Sequence, residues 1–400
     1  MQVAGVTAEY NPFHNGHAYH ILSTKQALPE SKIIAVMSGS FTQRGEPAIC
    51  DKFTRTRMAL ENGVDIVVEL PAYYAASSAE YFADAAVRLM NASGVITHIS
   101  FGSESGDLGE IRRAADAYHE HGEAVGQMTR AFMAQGLPYF TARERSLNSI
   151  LHISKDFIKQ PNNILAVEYM KALARTRSAI APISVKRAGS GHNESASALR
   201  RAVSGGDYPA LADSMPESAF FLLLRHLSRY GAADACRLDS IFFYLFKTRP
   251  LDEIKAVLDM NDGVAERMIK MCGLYATMKD LLDAVKTKRY AYARLKRAAA
   301  HLLLDIRRDT FHSLHSTGGP RYIRVLGFRK DAAGLLGEMA GRASLPVITD
   351  LKKAGAVLDE AGMAMLNKDI YSTDIYYLAC ENGKNTHGVG HEYYNGMIVI

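Results

Sequence analysis

At 400 residues the chain is about two to three times the usual domain length, so two or three domains are expected. Hydrophobic residues make up 48% and charged residues 22%, a globular balance that excludes wholesale disorder and small disulfide-stapled scaffolds. The net charge of +5 is unevenly spread: residues 1–200 carry 20 Lys and Arg against 19 Asp and Glu, residues 201–330 carry 22 against 14, and residues 331–400 carry 5 against 9. A neutral front and a basic middle place small-molecule chemistry and polyanion binding in different parts of the chain, although solvated basic helix faces account for the same count. Cys50, Cys236, Cys272 and Cys380 form no C-x-x-C, so free, reduced thiols are expected. The start of the chain lacks a basic n-region and an apolar h-region, and the apolar runs at 219–224 and 241–246 are too short to span a bilayer. A soluble cytoplasmic protein without membrane association is the expectation.

In chain order, β-branched runs at residues 2–7, 32–37, 65–69 and 97–101 read as buried strands, each closed by a polar or glycine-containing turn. Helical patterns follow them at 16–27, 53–62, 77–93 and 108–119, and a fifth strand at 181–186 precedes a helix near residue 195. Strand–helix alternation of this kind predicts an α/β fold with a doubly wound parallel sheet. Beyond residue 204 helical periodicity dominates, at 219–229, 238–246, 251–259 and 291–304. A strand at 322–326, helices at 332–340 and 356–366, and an aromatic, glycine-rich tail complete the chain. Gly205, Gly206 and Pro209 mark a boundary, giving domains 1–204 and 205–400.

The densest chemistry lies in Thr7-Ala8-Glu9-Tyr10-Asn11-Pro12-Phe13-His14-Asn15-Gly16-His17, after the first strand and at the head of the first helix. The carboxyl end of a strand in a parallel α/β sheet is where ligands bind, and a helix N-terminus presents free N–H groups to phosphate. Two histidines around a glycine can approach one phosphate, donating N–H bonds or offsetting charge at phosphorus. Capping or core histidines explain the same residues. A metal pair fits less well, because no third ligand lies nearby in sequence.

Three later segments can complete a nucleotide site. Ser195, Ser197 and Arg200 open a helix after Arg187 and a glycine-containing loop, as a second phosphate clamp would; a plain Ser N-cap reads equally well. Gly102, at the end of the fourth strand, lets backbone approach an adenosine or simply makes a turn. Asn162 opens a helix, reading an adenine or ribose edge or capping that helix.

Together these strings resemble one family, the bacterial tRNA(Met) cytidine acetate ligases of the nucleotidyltransferase superfamily with the H-x-G-H motif. The matching stretches are 8–17, 37–48, 67–71, 101–104, 161–165, Arg187 with 195–200, and 286–297. The resemblance implies a Rossmann-like nucleotidyltransferase domain over 1–204. A mainly helical tRNA-binding domain over 205–400, with a small mixed C-terminal part, would follow. It implies that acetate attacks the α-phosphorus of ATP, and that the acetyl group then passes to N4 of the wobble cytidine (position 34) of elongator tRNA(Met). His14 and His17 would be catalytic. ATP would be held by Thr7, Ala8, Glu9, Tyr10, Asn11, Phe13, His14, Asn15, Gly16, His17, His20, Gly102, Asn162 and Arg187, with Ser195, Ser197 and Arg200 as the late clamp. No Lys-Met-Ser-Lys-Ser string is present, so Mg²⁺ carried by the phosphates would share the neutralisation of pyrophosphate. No metal site of the protein's own and no protein partner are implied.

Acetate is already a nucleophile at neutral pH, so adenylation needs positioning and charge stabilisation rather than a general base. The second step needs a proton acceptor, which the sequence does not identify. In the loop at 38–52, Arg44 is a candidate partner for the acetate carboxylate, and a solvated surface loop is the alternative. Lys286, Lys288, Arg289, Arg294, Lys296 and Arg297 place six cations in twelve residues, interleaved with Tyr290 and Tyr292. That pattern suits phosphates and stacked bases of tRNA, or a basic helix face. The alternative function is a small-molecule adenylyltransferase or pantothenate synthetase-like ligase of the same superfamily. Residues 381–400 carry no functional reading.

Overall fold

The β-branched runs of the first half pair as expected in the computed structural model, which describes every residue except 138, 151–156, 158–159, 188–195, 262, 288–289, 384–385 and 387. They form β1 (Val3–Ala8), β2 (Lys32–Ser38), β3 (Ile66–Leu70), β4 (His98–Ser103) and β5 (Ala181–Lys186). All are mutually parallel, in the order β3-β2-β1-β4-β5. Successive β2 residues feed opposite cores. Ile33, Ala35 and Met37 pack on one side, Ile34 and Val36 on the other, which is why the run is apolar throughout.

The intervening helices are α1 (Asn15–Ala27), α2 (Lys52–Glu61), α3 (Ala79–Ala92), α4 (Leu108–Ala134), α5 (Pro161–Arg175) and α6 (Ala196–Gly205). Local chemistry starts several of them. Asp51 caps α2 by accepting from Thr54 N at 2.6 Å, and Pro161 occupies the first turn of α5, where no N–H is needed. The fourth helix runs well past the predicted end at 119, bending at His121.

From α7 (Glu217–Tyr230) through α8 (Tyr292–Leu303) the described residues are mainly helical, as expected. The boundary after residue 204, however, divides neither sheet nor core. Strand β6 (Ile323–Phe328) pairs antiparallel with β3, and β7 (Val347–Ile348) and β8 (Ile398–Val399) pair parallel with β6, making one eight-stranded sheet. Phe242, Leu295, Leu302 and Met365 share one buried cluster with Ile34, Val36 and Val68. The physical reason is the edge of β3: its hydrogen-bonding groups are satisfied by β6, which no local pattern announces.

A buried charge cluster seals this junction. Lys52 Nζ lies 2.6 Å from Glu69 Oε1 and 2.5 Å from Glu392 Oε1, while Arg324 reaches Glu69 at 2.8 Å and also pairs with Glu392. All four are buried. Burial opposes the Glu392 carboxylate, but Arg324 and Lys52 hold it down at about 2. The tail that carried no reading therefore supplies a counter-ion to the first half of the chain, and Lys52 belongs to no solvated loop. The four cysteines are free thiols. Among the described residues no helix is long and apolar enough to cross a membrane.

Candidate active site

The strand order turns at β1. Successive connections run from β1 to β2 and β3 on one side, then to β4 and β5 on the other, leaving a crevice beyond the carboxyl ends of β1 and β4. A cleft of about 360 Å³ occupies this crevice. Thr7, Ala8, Glu9 and Tyr10 line it from the end of β1, and Gly102 lines it from β4. His14, Gly16, His17 and His20 line it from α1; Asn162, Arg187 and Ser197 close it from later segments.

The two motif histidines cap α1 reciprocally. His14 Nδ1 accepts from Gly16 N at 3.1 Å, His17 Nδ1 accepts from His14 N at 3.2 Å, and the rings lie 3.8 Å apart. This is a capping box built from imidazoles. With each Nδ1 spent as an acceptor, the proton of each neutral ring sits on Nε2, which becomes a donor. Burial, with Arg187 nearby, pushes His14 down to about 4, and burial with His14 and Arg187 pushes His17 well below the ordinary value. The pair is neutral at pH 7. Gly16 is required for this arrangement, since a Cβ there would lie 2.9 Å from His14 Cε1.

The far wall is organised around Glu104. Its carboxylate accepts from Asn162 Nδ2 at 2.7 Å and Asn163 N at 2.9 Å, and Arg187 donates to Asn162 Oδ1 at 3.4 Å. Asn162 is not the cap of its helix, because Gln160 holds that position. Phe101 and Tyr169 stack at 5.6 Å as an apolar wall. A Cβ at Gly102 would make only ordinary contacts, nearest Arg187 Cγ at 3.5 Å, so the space it leaves is cleft.

Several expected contacts turn elsewhere. Asn11 Oδ1 accepts from Ile49 N at 2.7 Å, Phe13 is fully buried, and Asn15 donates to Asp213 O at 3.1 Å. Arg200 donates to Asn11 O at 3.0 Å and Ser197 Oγ at 3.1 Å; it braces the turn rather than lining the cleft. Ser195 lies outside the described residues. Arg44 lines the cleft and reaches Ser197 Oγ at 3.3 Å.

Sequence reasoning passed over Arg55. It is fully buried on α2 and donates to Glu9 O at 2.7 Å, Ser38 O at 2.9 Å, Cys50 O at 3.1 Å and Gly39 O. One guanidinium thus ties together the ends of β1 and β2. Its sequence signal is that of any helical arginine.

The basic segment is less free than its composition implied. Arg294 and Arg297 pair with Asp259 at 3.7 and 3.4 Å, Lys296 pairs with Glu46, and Tyr290 is buried. Lys286 is exposed, and the Lys286 and Lys296 ammonium groups lie 5.9 and 5.1 Å from the Tyr292 ring. Lys288 and Arg289 lie outside the described residues. The segment is not remote from the cleft. Gly45, at φ +72°, packs so closely on α8 that a Cβ would lie 2.6 Å from Arg297 N and Lys296 O, and the same turn carries Gln43 and Arg44 into the cleft.

The HIGH Nucleotidyl Transferase family model matches residues 1–389. A tRNA(Met) cytidine acetate ligase of Thermoanaerobacter sp. (strain X514) is 36% identical, the alignment covering 96% of each chain. The chain belongs to this ligase family. A Clostridium perfringens (strain ATCC 13124) member of the family is 34% identical over 94% of this chain and 95% of its own. The fold agrees as well: a crystal structure of Thermotoga maritima TmcAL bound with alpha-thio ATP superposes with a TM-score of 0.93 at 29% identity, covering all of both chains.

Proposed function

We propose that this chain activates acetate with ATP to acetyl-adenylate and transfers the acetyl group to N4 of the wobble cytidine of elongator tRNA(Met), forming N4-acetylcytidine in the cytoplasm. The observation that carries the reading is the reciprocal histidine cap, which aims neutral Nε2–H donors from a helix N-terminus at the switch-point cleft. Acetate attacks the α-phosphorus in line, and pyrophosphate leaves. The His14 and His17 donors, with Arg187 and Arg44, stabilise charge on the phosphoryl oxygens. Asn162, held by Glu104, orients the nucleoside against Phe101 and Tyr169. Mg²⁺ enters with the triphosphate as part of the substrate. Family membership favours this reading over a small-molecule adenylyltransferase or pantothenate synthetase-like ligase.

The test is to incubate the protein with ATP, isotopically labelled acetate and unmodified tRNA, and to analyse the nucleosides by mass spectrometry. Labelled N4-acetylcytidine is expected; its absence, with intact tRNA, overturns the reading. Acetate-dependent ATP–pyrophosphate exchange should proceed without tRNA.

The tRNA path follows the basic segment beside the Gly45 turn, where the Lys286 and Lys296 ammonium groups flank the Tyr292 ring. Replacing both lysines by alanine should weaken tRNA binding most at low salt. Each ammonium withdrawn from a phosphate should flatten the log–log salt dependence by roughly 0.7 to 0.9 units. Filter binding across a salt series measures this. Unchanged affinity and slope would place the tRNA elsewhere. Because Lys296 also holds Glu46 on the turn that carries Arg44, some slowing of exchange is expected in the same variant.

A further inference from the structure

We propose that Glu9 is the group that accepts the N4 proton during acetyl transfer, a role that rests on the function proposed above. The adenylation step needs no general base, because acetate is already a nucleophile, and a carboxylate facing the triphosphate repels it unless a cation or a ribose hydroxyl meets it. Yet Glu9 lines the cleft, as the one acid among its described lining residues, with Oε1 fixed by Gln43 N at 2.8 Å. Its place belongs to the second step.

The other titratable groups of the cleft are unsuited to that step. His14 and His17 have each given Nδ1 to a backbone N–H and present protonated Nε2. His20 is tied through Nε2 to Ser100 Oγ at 3.0 Å, and burial, with Arg187, pushes it down to about 4, a weak base near neutrality. Burial raises Glu9 above the usual carboxylate range, against the Gln43 N–H bond and the charges of Arg44, Arg200 and Arg55. Tyr169, whose own phenol burial keeps protonated, faces it from α5. The result is a carboxyl group of raised basicity, flanked by cations that offset the charge of departing AMP.

The chemistry balances. The N4 lone pair of cytidine, weakened by conjugation into the ring, attacks the acetyl carbonyl carbon. The C–N bond forms, and the C–O bond to the α-phosphate breaks. AMP leaves with that electron pair, and the N4 proton passes to Glu9 and then to water.

The test uses the full-length chain, tRNA and chemically prepared acetyl-adenylate, with transfer followed in single turnovers across a pH series. The parent rate should rise with pH along a one-proton limb and then level. In E9Q, which keeps an oxygen to accept the Gln43 N–H, the limb should vanish and transfer should fall at least 10²-fold. Its loss in acetate-dependent ATP–pyrophosphate exchange should be at least tenfold smaller. Equal losses in both assays would make Glu9 an ATP-positioning residue and overturn the proposal, as would E9Q transferring at the parent rate or retaining the limb. A parent that makes no N4-acetylcytidine from acetyl-adenylate would overturn the underlying function instead.

Discussion

His17→Ala is expected to fold like the parent and to form acetyl-adenylate about 10²-fold more slowly, the usual cost of losing a donor aimed at a charge that develops in the transition state. The variant also deprives His14 N of its acceptor, at a cost of about 1 kcal/mol to the start of α1. That loss appears in a urea titration and should be separable from the rate. Acetate-dependent ATP–pyrophosphate exchange measures the chemistry. A folded variant exchanging at the parent rate would leave His17 only its capping role. The pH dependence carries a second signature. His14 is pushed down to about 4 and His17 well below 6.5, so both are neutral through pH 6 to 8. Exchange in the parent should show no histidine inflexion near 6.5. An inflexion there that His17→Ala abolishes would mean that the imidazolium is the working form.

Arg55→Ala should be the most damaging single change outside the cleft lining. It removes the shared donor of four main-chain carbonyls in a fully buried setting. Buried acceptors left without partners cost about 1–3 kcal/mol each, so a loss of about 3 kcal/mol or more is expected in denaturant unfolding. Because three of the carbonyls, of Glu9, Ser38 and Gly39, lie at the ends of β1 and β2, exchange should fall as well, even in the folded fraction. Arg55→Lys keeps the charge but not the fork, and should recover only part of either loss. Parent-like stability and exchange in Arg55→Ala would show that water replaces the guanidinium without consequence.

How much of this was legible in the sequence differs from residue to residue. The parallel strands and their helices were, because each is set by a local pattern: β-branched runs, period 3.6, and turn residues within a few positions. His14, Gly16 and His17 were legible for the same reason, since a helix cap spans only four residues. Asn162 and Gly102 do line the cleft, but their partners left no sequence trace, because Glu104 and the Phe101–Tyr169 wall exist only once β4 and α5 meet.

The sequence by itself determined an α/β fold with a nucleotide-type turn after its first strand and a basic helical stretch far along the chain. Only the tertiary structure decided that β6 to β8 complete the sheet, that Glu392 and Arg324 neutralise Lys52 and Glu69, and that Asp259 and Glu46 occupy cations read as free. Ion pairs between positions hundreds of residues apart leave no periodic trace, since any charged residue at a surface-like spacing looks the same until the fold buries it. Tautomer is decided the same way: which nitrogen of His14 or His17 carries the proton depends on the backbone N–H that each ring meets, and only the folded turn at Gly16 brings them together.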